Sequence, residues 1–178
     1  MRLFIAIEFP DDIKDALMRG TEQVRQSFER GSFPRKKNYH LTLVFLGEPA
    51  PDSVPQVIEA IQAVTAPPLD MTIGHLGRFH SRSGDILCRA VETDSTLYHL
   101  QRALSDELAA RGFVLEDRVY TPHLTIARRA VLREGVTLRQ LSEQLPPLAY
   151  TAREITLLSS EQVRGMRVYT PIFRRALE

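Results

Sequence analysis

The sequence predicts an α+β domain made of two similar halves that face a common cleft. Three observations predict it. A short stretch occurs twice, His40-Leu41-Thr42-Leu43 and His123-Leu124-Thr125-Ile126, 83 positions apart in a chain of 178 residues. Strand-like apolar runs and helix-like spacing take turns along the chain, in an order that the second half largely repeats. No Pro-, Ser- or Gly-rich linker separates the halves, so residues 1–178 read as lobes of a single bilobal domain.

The order begins with Leu3 to Phe9, almost wholly apolar and rich in Ile and Phe, a central strand covered on both faces and ended by Pro10. Asp11 or Asp12 then caps a helix whose apolar positions Ile13, Leu17, Val24 and Phe28 follow helical spacing. Gly31 to Asn38 reads as a loop carrying Arg35, Lys36 and Lys37, and leads into the first motif strand, Tyr39 to Leu46, closed by Gly47. After a break at Pro49 to Ser53, the residues Val54, Val57, Ile58, Ile61 and Val64 mark an amphipathic helix ended by Pro67-Pro68.

Leu69 to Phe79 and Asp85 to Thr93 are strand-like and joined through Ser81-Arg82-Ser83-Gly84, a hairpin turn. Asp94 or Ser95 caps a third helix, with Leu97, Leu100, Leu104 and Leu108 on one stripe and Gly112 as its stop. The second motif strand follows Tyr120-Thr121-Pro122 and runs to Arg128. A short helix covers Thr137 to Leu145. Two last strands, about Tyr150 to Leu158 and Met166 to Arg174, form a closing hairpin around Arg164-Gly165.

Composition narrows the function. With 23 basic and 22 acidic residues the formal net charge is only +1, so contact with a polyanion has to come from local patches. The single cysteine, Cys88, lies in the apolar run Ile86-Leu87-Cys88 and reads as a small buried hydrophobe in a reducing compartment. No apolar run approaches the length of a membrane span, and the N-terminus enters a strand rather than a signal peptide. A soluble cytoplasmic protein is expected.

Side chains of a strand alternate faces, so His40 and Thr42 project to one side while Leu41 and Leu43 project to the other, and the same holds for His123 and Thr125. Each copy shows an imidazole and a hydroxyl to the cleft. Two facing imidazoles suit an acid/base pair, because an unperturbed pKa near ~6.5 lets one be neutral while the other is protonated. The threonine hydroxyls donate to the non-bridging oxygens of a phosphate held between them. That layout fits in-line attack on a phosphodiester, best a strained 2',3'-cyclic phosphate.

Metal binding fits poorly: His-x-Thr is weak ligand spacing, there are no cysteine clusters, and no acidic residue lies inside either motif. His75, His80 and His99 lack a threonine at the right spacing and are read as structural.

His40-Leu41-Thr42-Leu43-Val44-Phe45-Leu46-Gly47 and Pro122-His123-Leu124-Thr125-Ile126-Ala127-Arg128 resemble the paired motifs of the two-histidine phosphoesterases. In particular they are similar to those of the RNA 2',3'-cyclic phosphodiesterases, also called 2'-5' RNA ligases. The resemblance extends from the opening strand to the strand of Tyr169.

It implies a bilobal fold with two pseudo-symmetric antiparallel sheets lining a central cleft and helices outside. It implies hydrolysis of RNA 2',3'-cyclic phosphate ends to 2'-phosphates without ATP, metal or other cofactor, with 2'-5' ligation at the same site when a 5'-hydroxyl stands in place of water. By the same analogy His40 is the proton donor to the leaving 3'-oxygen and His123 the base that activates water. Arg128 matches an arginine at the end of the second motif that pairs with phosphate. Strict alternation puts Arg128 on the face opposite His123, so a bulge or the strand end has to redirect it. Phe4 is read as core or as a cleft aromatic that stacks on a base.

The expected partners are RNA ends or small cyclic-phosphate nucleotides, bound by a monomer with no membrane contact and no obligate protein partner. The local basic residues Arg35 to Lys37, Arg128, Arg129, Arg133, Arg164 and Arg167 would equally serve a non-catalytic module that grips an RNA end. A related phosphodiesterase acting on small cyclic nucleotides or 2'-5' linkages is the nearest enzymatic alternative.

Overall fold

Leu3, Ile5 and Ile7 are almost completely removed from solvent, and the strand that carries them, β1 (Arg2–Glu8), is paired along both edges. A computed structural model describes residues 1–178. In it β1 lies between β3 (His40–Gly47) and β8 (Glu154–Val163), and β9 (Met166–Ala176) completes a four-stranded antiparallel sheet in the order β3-β1-β8-β9. The second sheet has five strands: β2 (Phe28–Ser32), β6 (His123–Leu132), β5 (Asp85–Thr93), β4 (Leu69–Phe79) and β7 (Leu148–Ala152), in that spatial order and again antiparallel.

The pseudo-symmetry lies in the path of the chain. β1 feeds helix α1 (Asp11–Arg25), and the chain returns as β3 beside β1; β5 feeds helix α3 (Ser95–Ala110), and the chain returns as β6 beside β5. The order β3-β1-β8-β9 therefore corresponds to β6-β5-β4-β7, with β2 added on the free edge of β6. Helices α2 (Val54–Ala63) and α4 (Leu138–Glu143) complete the fold.

One apolar cluster takes Leu41 and Leu43 from the first motif strand and Leu124 and Ile126 from the second. It also takes the whole α3 stripe Leu97, Leu100, Leu104 and Leu108, each leucine contributing about 1.5–3 kcal/mol by burial. The histidines and threonines of both motifs are thereby left on the other face. A separate small cluster of Phe4, Ala6 and Leu158, with Tyr169 packed on it, lies on that face of the four-stranded sheet.

Several expected boundaries move. Helix α1 ends at Arg25, and Phe28 begins β2 instead of continuing the helical stripe, pairing with Leu132 of β6. Pro10 is the N-cap of α1, and Asp11 and Asp12 sit in its first turn, where carboxylates meet the positive end of the helix dipole. The segment expected as loop from Gly31 contains the end of β2 and a 3-10 turn at Lys36–Asn38.

The run from Tyr150 to Leu158 is two strands. The chain crosses from one sheet to the other at Arg153, so Ala152 pairs with Leu69 while Glu154 pairs with Ala176. The second motif strand extends to Leu132 because β2 pairs with its far end. Each sheet contributes one motif histidine, but neither sheet is a half of the sequence: the four-stranded sheet joins the first 47 residues to the last 25.

Candidate active site

The two motif strands are built alike. Opposite Ile5 and Ala6 of β1 stand Val44 and Thr42, so Leu43 is an extra residue; opposite Leu87 and Cys88 of β5 stand Ala127 and Thr125, so Ile126 is the extra one. A bulge of this kind puts two consecutive residues on one side of the strand. Leu43 and Val44 are both buried, as are Ile126 and Ala127. The fifth residue after each histidine is turned back to the histidine's face. On β6 that residue is Arg128, exposed; on β3 it is Phe45, 40% exposed.

The histidines are also held alike. His40 Nδ1 lies 2.8 Å from the Asn38 carbonyl oxygen, and His123 Nδ1 lies 2.7 Å from that of Thr121. A carbonyl only accepts, so Nδ1 carries the proton in both rings, and Nε2 of the neutral imidazole is left as an acceptor toward the cleft. Thr42 and Thr125 follow two residues on, half-buried like the histidines.

A hydrogen bond and a charge effect show that the motifs are neighbours. The Tyr120 hydroxyl, three residues before His123, donates to the Thr42 carbonyl at 2.9 Å, and the Arg128 charge acts on the His40 ring.

The surroundings of the two rings differ. His40 packs against Phe4 at 4.9 Å and edge-on to Tyr169 at 5.0 Å between ring centroids, whereas His123 meets Phe79 at 4.8 Å, itself 39% exposed. Desolvation lowers the pKa of His40 to about 4, and Arg128 pushes in the same direction, while the Asn38 bond and Glu8 oppose it. His40 is therefore neutral at pH 7 in the free protein.

The linkage has a definite sign. An unfolded histidine takes up a proton near pH ~6.5, whereas folded His40 resists protonation down to about 4, so stability falls as pH drops through that window. The effect is on the order of 3 kcal/mol at its acid end. Urea unfolding of wild type and His40→Gln at pH 7 and pH 4.5 is expected to show a smaller acid loss in the variant; equal losses would assign the acid sensitivity to other groups.

Other candidates fall away from the cleft chemistry. Lys36 is committed to Asp15 at 2.7 Å and Asp11 at 3.6 Å on α1. His75 lies by Glu92 and His80 by Asp85 in exposed pairs. Burial pushes the Cys88 thiol up to about 11, as expected of a packed hydrophobe. No group of three or more His, Cys, Asp or Glu side chains is placed to hold a metal ion.

The family model of the 2'-5' RNA ligase superfamily matches residues 9–164. The chain belongs to that superfamily. Among its curated members, the RNA 2',3'-cyclic phosphodiesterase of Escherichia coli is 29% identical over 99% of this chain and 96% of its own length. That of Methanocaldococcus jannaschii is 27% identical over 97% and 98%. That of Geobacillus stearothermophilus is 31% identical over 71% of this chain, which spans 41% of the length of that relative.

Escherichia coli LigT complexed with 3'-AMP superposes with a TM-score of 0.81 at 28% identity, covering 99% of this chain and 97% of LigT. Thermus thermophilus TT0787 shares the fold, with a TM-score of 0.78 at 23% identity over 99% and 98% of the two chains. The two-sheet architecture of the 2'-5' RNA ligase superfamily is thus the architecture of this chain.

Sequence reasoning missed Phe45 on the face of His40, Phe79 against His123 and the tie from Tyr120 to Thr42, and it names Tyr169 only as a residue of the last strand. The signal for Phe45 was present: it stands at the same offset from His40 as Arg128 does from His123.

Proposed function

We propose that the protein hydrolyses RNA 2',3'-cyclic phosphate ends to 2'-phosphates, without metal or nucleotide cofactor, using His40 and His123 as its acid/base pair. The observation that carries this reading is the matched presentation of the two rings. Each is held through Nδ1 by the carbonyl two residues upstream, frees Nε2, and has a threonine on the same strand face.

His123 Nε2 takes a proton from water as the water oxygen attacks phosphorus. The bond from phosphorus to the 3'-oxygen breaks, and His40 Nε2–H returns a proton to that oxygen, leaving the phosphate on the 2'-oxygen. Thr42, Thr125 and Arg128 donate to the phosphate oxygens as their charge grows. His40 has to gain its proton as substrate binds, and the phosphate supplies the cause: its negative charge favours the imidazolium and offsets Arg128. A 5'-hydroxyl in place of water attacks in the same direction: His123 takes its proton, the bond to the 3'-oxygen breaks with a proton from His40, and a 2'-5' linkage forms. We place this activity in the cytoplasm, in a monomer.

The test is incubation with an RNA ending in 2',3'-cyclic phosphate, in EDTA and without nucleotide. Complete conversion to the 2'-phosphate is expected. A 3'-phosphate product would overturn the assignment of donor and base, and tight binding without turnover would favour the non-catalytic RNA-end module.

A further inference from the structure

Beside the cleft the four-stranded sheet carries a line of groups that the hydrolytic step does not use. It starts at Tyr169, whose ring meets His40 edge-on. Arg167 precedes Tyr169 by two residues on β9, so it projects to the same face about 7 Å further along the strand. Arg167 Nη1 lies 3.3 Å from Ser160 Oγ on β8, whose strand partner is Tyr169; its own strand partner, Gln162, shares the face. The next strand residue, Met166, alternates to the other face at the end of the hairpin, and the guanidinium of Arg35 meets it at that edge. Arg164 stands at the tip of the β8–β9 hairpin, held at φ 49° ahead of Gly165.

Arg35, Lys37, Arg164 and Arg167 have no carboxylate partner, whereas Lys36, Arg2 and Arg174 nearby are all paired. Of the two acidic residues of this hairpin, Glu154 is paired with Arg174 at the far end, and Glu161 alternates with Ser160 and Gln162 and faces the other way.

The line is fixed to the catalytic ring. Asn38 accepts from His40 through its backbone carbonyl, and its side-chain amide donates to the Arg167 carbonyl at 3.1 Å. Burial raises the pKa of the Tyr169 hydroxyl, and the charges of Arg128 and Arg167 pull it back, so both arginines act on the same ring. The facing lip, the β4–β5 hairpin, is different: Arg78 and His80 both turn to Asp85.

We propose that the β8–β9 hairpin and the Arg35–Lys37 turn form a track for the RNA chain leading to the reacting end. Arg167, Arg35 and Arg164 pair with successive upstream phosphates, and Tyr169 offers its ring to the first base after the terminal one. An aromatic face followed by unpaired basic side chains is the pattern by which single strands are gripped without sequence preference. This rests on the hydrolytic reading above. It adds that the preferred substrate is an oligonucleotide and not a mononucleotide.

The test compares a mononucleoside 2',3'-cyclic phosphate with an RNA hexamer ending in the same group. Wild type is expected to favour the hexamer by about tenfold or more in kcat/KM. In Arg35→Gln/Arg164→Gln/Arg167→Gln that preference is expected to shrink to about twofold. The salt dependence of kcat/KM on the hexamer should become shallower, by about 0.7 in logarithmic slope for each phosphate that is no longer neutralised.

Arg164→Gln alone, at the hairpin tip, keeps the test informative if the triple variant melts early: a partial loss of preference is expected. No preference in wild type, a preference that survives the triple variant, or one removed instead by Arg82→Gln on the facing lip would overturn the proposal. Mononucleotide turnover reports separately on the hydrolytic reading.

Discussion

His40→Ala and His123→Ala are each expected to lower kcat/KM on an RNA 2',3'-cyclic phosphate by about 10²–10⁴-fold, the usual contribution of a positioned acid or base. In the proposed mechanism the two residues serve one displacement, so the double variant is expected to lose little more than the worse single one. Neither imidazole belongs to the large apolar cluster, and unfolding midpoints at pH 7 should stay close to wild type. Near wild-type turnover in either single variant would end the acid/base assignment. A loss matched by a collapse of the fold would move the role of that histidine from chemistry to packing.

Arg89→Met is expected to act in the opposite way, costing about 3 kcal/mol of stability and little chemistry. Arg89 is 3% exposed on the core face of β5, between Cys88 and Ala90, which pair with Thr125 and His123. Its guanidinium donates to the carbonyls of Gly74, Ile73 and Pro146 at 2.8, 3.0 and 2.7 Å. Two of these lie where β4 slips register against β5, and the third precedes β7. Methionine keeps the length and removes every donor, leaving buried carbonyls unsatisfied, each worth about 1–3 kcal/mol; release of a desolvated charge offsets part of this. Urea titration measures the loss, and kcat of the folded fraction should stay within about threefold. Unchanged stability would mean that water replaces the guanidinium.

The sequence announced the fold wherever a pattern was local. The α3 stripe with its Asp94 cap, the β4–β5 hairpin and the two motif strands follow from spacing within a few residues. What stayed hidden depends on partners. β2 shows only Phe28 to the core and is otherwise polar and exposed, so it exists as a strand only because β6 is beside it. The crossing at Arg153 has no glycine or proline to mark it.

The same holds at the site. Paired histidines and threonines could be read from one short repeat, but the face shown by residues five positions on is set by register against β1 and β5, which alternation alone does not contain. Arg128 was noticed through family likeness. Phe45, its counterpart, was passed over.

That counterpart relation breaks a degeneracy. Two histidines presented alike in like surroundings would accept a cyclic diester in either sense, with nothing to choose which ester bond opens. A guanidinium on one strand and a phenyl ring at the matching bulge on the other make the two sides chemically unlike, the one suited to an anion and the other to a nucleobase. On the proposed mechanism, that one unmatched position, together with the unlike surroundings of the two rings, is what selects the ester bond that opens.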